Sequence, residues 1–255
     1  MGIMGAPMNE KLAEAQAPQA AKAQGAPELP RQFVNFRFFR VDPLWRRLPE
    51  AEKEKGRKEF LQVVENFKKK GVLVLSYSLV GIRGDVEFLI WRISEVLDDF
   101  QAMSSQFLQT GLGKYVTIPY SFVAMTKRSI YVDQHVHEGQ EARRGRIVPG
   151  ESKYLFIYPF VKTREWYRLP KEKRQELMDE HIRIGHQYPS VRLNTTYSFG
   201  LDDQEFVVAF ETDKPADFLD LVMELREVEA SRYTLRDTPI FTCIKKPLET
   251  ILKEL

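Results

Sequence analysis

An internal repeat limits this chain to a small set of architectures. The motif Trp45-Arg-Arg-Leu-Pro49 matches Trp166-Tyr-Arg-Leu-Pro170, and each copy follows an aromatic-rich stretch. The motif Gly81-Ile-Arg-Gly-Asp-Val-Glu-Phe88 matches Gly200-Leu-Asp-Asp-Gln-Glu-Phe206, with one residue fewer in the second copy. Two pairs of motifs in the same order predict two copies of one supersecondary unit.

The hydrophobic pattern gives each copy the same order of elements. In the first half, apolar spacing and turn residues predict strands over 33–41, 72–79, 86–93 and 116–125, with helices over 50–69 and 95–110. This is the split βαβ order of a ferredoxin-like unit, and the second half repeats it. We therefore predict an α+β fold in which duplicated ferredoxin-like domains pack their antiparallel sheets into a barrel-like core, with helices outside.

The chain divides into four regions. Residues 1–30 are rich in Ala, Gln and Pro and predict a disordered tail, because they cannot bury enough apolar surface to offset their ordering entropy. Residues 31–126 form the N-terminal half, 127–150 a linker or flap, and 151–255 the C-terminal half. In the linker, His135 and His137 are spaced as a metal pair or as part of an exposed polar loop. Its arginines could cover an anionic ligand or form a solvated charge run.

Composition excludes several classes. The 255 residues are 43% apolar, enough for substantial cores, and 38 basic against 36 acidic residues give no general reason to expect nucleic acid. The one cysteine, Cys243, excludes an internal disulfide framework and fits a reducing compartment. The sequence contains no run of about eighteen apolar residues, the length that would predict a membrane span. We recognise no secretory signal. Cytoplasm is the expected location.

One histidine is a candidate metal ligand. Pro170 and Gly185 suit the two ends of a helix over 171–184, on which His181 shares a face with Leu177, Met178 and Ile182. A lone histidine in an apolar stripe is most often a core residue. No second ligand stands beside it at zinc spacing, so a metal role for His181 would suit haem better than zinc.

Five motifs occur together in one order. They are Tyr158-Pro-Phe-Val-Lys162, Trp166-Tyr167, Met178-x-x-His181, Gly200-Leu-Asp-Asp203 and Leu225-Arg226-x-x-Glu229-x-Ser231. In this order they resemble the chlorite dismutase-like superfamily, particularly its coproheme decarboxylase branch. The resemblance extends over roughly residues 33–246, and five ordered motifs are more specific than any one of them.

The resemblance implies roles for these residues. His181 would be the proximal iron ligand, with Glu229 as a candidate acceptor for its free N–H. Tyr158 matches the radical-forming tyrosine beside a reacting propionate, a position that is aliphatic in chlorite-degrading relatives. Lys162 matches a propionate-binding lysine, and Trp166 matches an aromatic residue packed beside the proximal histidine.

Further resemblance-based assignments concern the rim and the distal side of the porphyrin. Arg226 and Ser231 match propionate-binding positions, as does Arg146 or Arg144. The distal position is an arginine in chlorite-degrading members and often a glutamine in decarboxylases. Counting back from the Gly200 motif places it at Leu193, and counting forward from His181 places it at Asn194. Arg192 is adjacent.

The implied activity is hydrogen-peroxide-dependent decarboxylation of two propionates of iron-coproporphyrin III (coproheme), which gives haem b. The alternatives are a haem b-dependent chlorite dismutase or peroxidase, a non-catalytic haem-binding protein, and an unrelated duplicated binding domain. Relatives form rings, most often pentamers, so the resemblance also implies a homo-oligomer.

Overall fold

The computed structural model describes residues 30–131 and 145–255. The predictions made for the tail before residue 30 and for His135, His137 and Arg144 therefore lie outside the described residues.

The first half follows the predicted order of elements. It contains β1 (Phe33–Val41), α1 (Glu50–Lys69), β2 (Leu73–Ser78), β3 (Phe88–Ser94), α2 (Asp98–Gln109) and β4 (Val116–Met125), with 3₁₀ turns at Pro43–Arg47 and Leu112–Tyr115. The predicted bounds of β1, α1 and β4 are confirmed, while the ends of β2, β3 and α2 lie a few residues from the predicted positions.

The second half repeats this order with short additions. It contains β5 (Tyr154–Lys162), α3 (Arg164–Arg168), α4 (Lys171–Gly185), β6 (Arg192–Tyr197), β7 (Phe206–Thr212), α5 (Pro215–Glu227), a 3₁₀ turn (Glu229–Tyr233), β8 (Thr234–Arg236), β9 (Phe241–Lys245) and α6 (Leu248–Lys253). Helix α4 was predicted to within one residue. Its buried isoleucine is Ile184 and not Ile182, because Ile182 lies on the side of the helix that lines an outer cleft.

All strand pairs are antiparallel and belong to one large sheet. Within the described residues the strand order is β7-β6-β4-β1-β3-β2-β9-β5-β8, and β7 also pairs with β5. The pairing therefore returns on itself from β5 to β7, with β8 outside this ring. The predicted α+β class, with a large antiparallel sheet and helices, is confirmed.

The two halves use the same strand register. Equivalent residue pairs are Phe39↔Phe88 and Asn35↔Arg92 between β1 and β3, and Phe160↔Phe206 and Phe156↔Phe210 between β5 and β7. The turns that precede β3 and β7 each hold a glycine at positive φ, Gly81 at 75° and Gly200 at 71°. Glycine adopts this region without the steric cost that a side chain brings.

Alternation along the strands separates an inner core from two outer ones. Leu155 and Ile157 of β5 join β1, β3 and β7 residues in the inner core. Phe156 and Tyr158 face the other way, towards α4 and α5, in a separate cluster that includes Trp166. Helices α1, α2 and α6 cover the first half. The candidate site lies on the α4 side of β5.

In the described part of the chain, we find no helix that combines the length and apolar character needed to cross a bilayer.

Candidate active site on the outer face of β5

Tyr158 is a buried phenol on the face of β5 that packs against helices. Its side chain is 9% exposed, and its ring stacks on Phe210 with centroids 6.0 Å apart. None of the hydrogen bonds found among the described residues involves its hydroxyl. Burial raises the pKa of Tyr158, the charge of Asp237 raises it further, and Arg226 opposes this effect. The site therefore holds a protonated phenol that makes no hydrogen bond to the described residues.

Lys162 ends the same strand and carries its ammonium into a partly apolar environment. Its Nζ donates to the backbone oxygen of Ala230 at 2.8 Å and lies 4.5 Å from the ring centroid of Trp166. Burial lowers the pKa of Lys162 to about 8, against the opposing effect of Glu205. Among the described residues this ammonium has no ion pair, and a buried cation of this kind would suit an anionic ligand.

Glu205 fixes the backbone beneath that lysine. This carboxylate is 7% exposed. It accepts hydrogen bonds from the backbone N–H of Lys162 at 2.8 Å and from the hydroxyl of Tyr167 at 2.5 Å, and Arg164 lies 3.5 Å away. Because Tyr167 follows Trp166 directly, Glu205 joins the end of β5 to the short helix α3.

His181 projects from α4 towards these residues. Burial, with a smaller effect from the nearby charge of Lys162, lowers its pKa to about 4. Its imidazole is therefore neutral at pH 7 and able to bind a metal through nitrogen. No hydrogen bond in the described ranges involves this ring. Glu229, the acceptor that the resemblance implied, is instead exposed and pairs with Arg232 at 2.7 Å.

A polar rim lies close to Tyr158. Arg226 Nη2 pairs with Asp237 Oδ2 at 2.5 Å, and the Ser231 hydroxyl donates to the backbone oxygen of Arg226 at 2.7 Å. Arg226 remains 55% exposed and is therefore able to reach a ligand. The structure thus brings Arg226 and Ser231 together and adds Asp237 to them.

The alternation of β6 distinguishes the three candidates for the distal position. Leu193 pairs with Phe210, so its side chain lies on the same face of the sheet as Tyr158, and it is 46% exposed. Asn194 lies on the opposite face, where its Nδ2 donates to Glu211 at 2.6 Å. Arg192 alternates to that same face and donates to the Val148 backbone oxygen. Leu193 is therefore the candidate that faces the site.

Arg146 is the sequence-predicted residue that the structure does not bring to the others. Its Nη1 pairs with Glu95 at 2.6 Å and donates to the Pro30 oxygen at 3.2 Å, both in the N-terminal half. Glu95, the residue that directly follows β3, holds the guanidinium there. A cleft of about 740 Å³ also opens against the charged side of α4, but none of Tyr158, Lys162 and His181 lines it.

Comparison with known proteins identifies the family. Residues 53–246 match the family model described as chlorite dismutase. This chain belongs to the chlorite dismutase family. A coproheme decarboxylase from Mycolicibacterium smegmatis is 34% identical over 191 residues, which is 73% of this chain and 79% of that protein.

Solved structures of the chlorite dismutase family share the fold. A substituted form of chlorite dismutase from Candidatus Nitrospira defluvii superposes with a TM-score of 0.80 at 29% identity, covering 88% of this chain and 94% of that one. The same enzyme in complex with imidazole gives a TM-score of 0.79, with the same identity and coverage.

The residues of this chlorite dismutase family member fit an iron porphyrin. A haem-type iron needs one protein ligand, and His181 supplies a neutral imidazole whose nitrogens are not engaged in hydrogen bonds within the described ranges. In the same ranges, no three His, Cys, Asp or Glu side chains converge as a metal-ligand set. Lys162, Arg226 and Ser231 supply donors suited to carboxylates. Exposed Leu193 adds apolar surface on the face of Tyr158.

Sequence reasoning missed two acidic residues of this site, Glu205 and Asp237. Glu205 could have been found, since it occupies the Glu-Phe pair of the second repeat motif, where Glu87 stands in the first. Glu87 accepts a hydrogen bond from the Val41 backbone N–H at 2.7 Å, the counterpart of the bond from Glu205 to Lys162. For Asp237 we find no comparable signal, because its role depends on tertiary contact with Arg226.

Proposed function

We propose that this protein is a coproheme decarboxylase that uses hydrogen peroxide to convert two propionates of iron-coproporphyrin III into vinyl groups, giving haem b. The observation that carries the proposal is Tyr158, a buried phenol without a hydrogen-bond partner among the described residues, close to the Arg226–Asp237 pair. The likeness to the coproheme decarboxylase of Mycolicibacterium smegmatis supports it.

His181 would ligate the iron, and basic groups would hold the propionates. Lys162 lies beside Trp166, and Arg226 lies with Ser231 at the rim near Tyr158. Coproporphyrin carries four propionates where haem b carries two, so separate donor sites suit the more acidic porphyrin. The partner of the protein is therefore its porphyrin substrate.

The chemistry supplied by the bound iron porphyrin is the transfer of oxidising equivalents from peroxide. Each propionate carboxylate loses two electrons and one proton together with carbon dioxide; these two electrons, with that proton and one more from the medium, reduce one hydrogen peroxide to two waters. Tyr158 gives up the hydrogen of its hydroxyl and then takes a hydrogen atom from the β-carbon of the propionate. The carboxylate carbon leaves as carbon dioxide, and the remaining two carbons form the vinyl group.

The environment of Tyr158 suits this role. Its raised pKa keeps the phenol protonated at neutral pH, so an electron and a proton leave together. An isoleucine or leucine at this position has no such hydrogen to give. Lys162 and Arg226 hold and orient the porphyrin through its carboxylates.

A second candidate function is chlorite cleavage with haem b as a permanent cofactor. The structural likeness to chlorite dismutase favours it. Leu193 argues against it, because an aliphatic side chain on this face offers no charge to stabilise an oxyanion leaving group. A non-catalytic haem-binding protein would need His181 but not the hydroxyl of Tyr158.

The assembly and location follow the same proposal. We propose that the two halves are ferredoxin-like copies whose strands close as a barrel, supported by their equal registers and by the β5–β7 pairing. We propose a homopentamer by resemblance to the family, which native mass spectrometry would test. The single, buried cysteine is consistent with the cytoplasm.

The test is a peroxide titration of the purified protein loaded with iron-coproporphyrin III, followed by porphyrin mass. Wild type should lose two carboxyl groups stepwise, and Tyr158→Phe should bind the porphyrin and leave its mass unchanged. Tyr154→Phe is the matched control, since Tyr154 lies on the same face of β5, and it should react like wild type.

Two results would refute the proposal. An unchanged porphyrin mass in the wild type would make chlorite degradation by the haem b form the next assay. Full activity of Tyr158→Phe would exclude the phenol as the reacting group.

A further inference from the structure

A second cleft lies in the N-terminal half, away from β5. It has a volume of about 480 Å³ and opens between α2 and the outer face of β1, β3 and β4. Its lining includes two arginines, Arg37 from β1 and Arg92 from β3, together with Asn35, Ser104 and Ser121. The activity proposed above uses none of these residues.

Arg92 is fixed in this cleft by neutral acceptors. It is 1% exposed, and its Nε and Nη2 donate to Asn35 Oδ1 at 3.2 and 2.5 Å. Its Nη1 donates to the Phe100 backbone oxygen and to Ser104 Oγ, both at 3.0 Å. The guanidinium is therefore held firmly, but its charge is not neutralised.

Arg37 shares one of these acceptors. Its Nη1 donates to the same Ser104 Oγ at 2.5 Å, which tethers both guanidinium groups to one hydroxyl. The Nε of Arg37 is buried and has no hydrogen-bond partner. Because Nε is closed to solvent, a ligand in the cleft would meet this guanidinium through Nη2, which is not closed off and has no acceptor among the described residues.

The described residues supply no carboxylate to this pair. Burial lowers the pKa of Arg37, and burial together with the positive charge of Arg37 lowers that of Arg92. The nearest acids in sequence are engaged elsewhere, since Asp99 accepts from Ser94 and Glu95 pairs with Arg146. Two like charges share a cleft with neutral neighbours, an arrangement that an anion would stabilise.

The position of the pair within the repeat is the second observation. In the shared strand register, Arg37 is the counterpart of Tyr158, and Arg92 is the counterpart of Phe210. The outer face that is aromatic in the second half is therefore cationic at the same place in the first. The same scaffold presents an apolar wall in one half and a pair of guanidinium groups in the other.

We propose that this cleft is a binding site for a small oxyanion that carries a carboxylate or phosphate group, with Nη2 of Arg37 as the charged donor. Arg92 supplies positive charge and positions Ser104, and Ser121 lies beside Arg37 on the neighbouring strand β4. This site does not depend on the porphyrin, so its test is independent of the decarboxylase proposal.

The experiment is isothermal titration of the full chain with inorganic phosphate and, separately, with acetate, at constant ionic strength set with chloride. The wild type should bind at least one of these anions saturably. Arg37→Gln should weaken that binding by roughly tenfold or more, since a charge-assisted contact is lost. Arg40→Gln is the matched control, because Arg40 is exposed on the same strand and its loss changes the net charge equally. Its affinity should equal that of the wild type.

The two titrations separate a phosphate site from a carboxylate site. In a third variant, Arg226→Gln, the binding event that Arg37→Gln weakens should keep its affinity, whereas loss of that same event would move the binding to the C-terminal half and overturn the proposal. The proposal would also be overturned if neither phosphate nor acetate bound saturably. Equal weakening in Arg40→Gln would overturn it too, since that would mark a general charge effect.

Discussion

Replacing Lys162 with methionine should make the apoprotein more stable and its porphyrin binding weaker. Methionine keeps an unbranched chain over Trp166 but removes the ammonium. The Lys162 Nζ is held at 2.8 Å from the Ala230 oxygen and 4.5 Å from the Trp166 centroid, without an ion pair of its own. The structure therefore retains a desolvated charge whose expected role is to meet a propionate.

The magnitude follows from the pKa of Lys162. Its fall from 10.5 to about 8 corresponds to about 3 kcal/mol of unfolding free energy, at about 1.4 kcal/mol for each pKa unit. The lost hydrogen bond and cation–π contact offset about 1–2 kcal/mol of this. At pH 7 we therefore expect Lys162→Met to be more stable than wild type by about 1–2 kcal/mol.

The sign of the pH dependence is fixed by linkage. Between pH 8 and 10.5 the unfolded chain binds more protons at this lysine than the folded chain does, so the unfolding free energy of the wild type rises with pH. The advantage of the variant is complete well below pH 8. The wild type gains about 3 kcal/mol by pH 10.5, so the advantage of about 1–2 kcal/mol disappears and then reverses.

Urea denaturation of the apoproteins at pH 7, 8, 9 and 10 measures this difference. Lys171→Met is the control, because Lys171 is exposed at the start of α4 and should give a pH-independent difference. In parallel, the affinity for iron-coproporphyrin III at pH 7 should fall in Lys162→Met but not in Lys171→Met. A stability difference for Lys162→Met that stays constant from pH 7 to 10 would refute the reasoning.

Three further changes test the site. His181→Ala should abolish axial ligation, seen as loss of the wild-type Soret band. Asp237→Asn should lower the pKa of Tyr158, measured by ultraviolet phenolate titration. The substitution removes the negative charge that raises this pKa, and it frees Arg226, which lowers it, from its ion pair. Leu193→Arg should tighten binding of anionic iron ligands such as fluoride by roughly tenfold, with Leu193→Gln changing it less; equal affinities would indicate that this side chain does not face the iron.

Much of the local structure could be predicted because it is encoded locally. The alternation of β1 and the helical spacing of α1 gave the correct bounds, and Pro170 and Gly185 marked the ends of α4. The pairing of β2 with β9, which joins the two halves at Tyr77↔Lys245, leaves no trace in local periodicity. Only the folded chain shows which strand edges meet.

The site divides in the same way. His181, Tyr158 and Lys162 could be named because each lies in a motif of fixed spacing. Counting alone could not choose between Leu193 and Asn194, since a shift of one residue along a strand turns the side chain to the other face of the sheet. Strand pairing puts Leu193 opposite Phe210 and so on the same face of the sheet as Tyr158, which supports Leu193 as the distal candidate.

The repeat explains why one half carries the candidate chemistry. Glu87 and Glu205 each bind a backbone N–H at the end of the first strand of their half, at 2.7 and 2.8 Å, so the backbone is built alike in both. The residue held by that bond is Val41 in the first half and Lys162 in the second. A valine can only pack, whereas the lysine carries a cation to the edge of the candidate site. The two halves therefore differ in the side chains that a common backbone presents, and not in the backbone itself. Substituting these side chains should change the function of a half more than altering its backbone would.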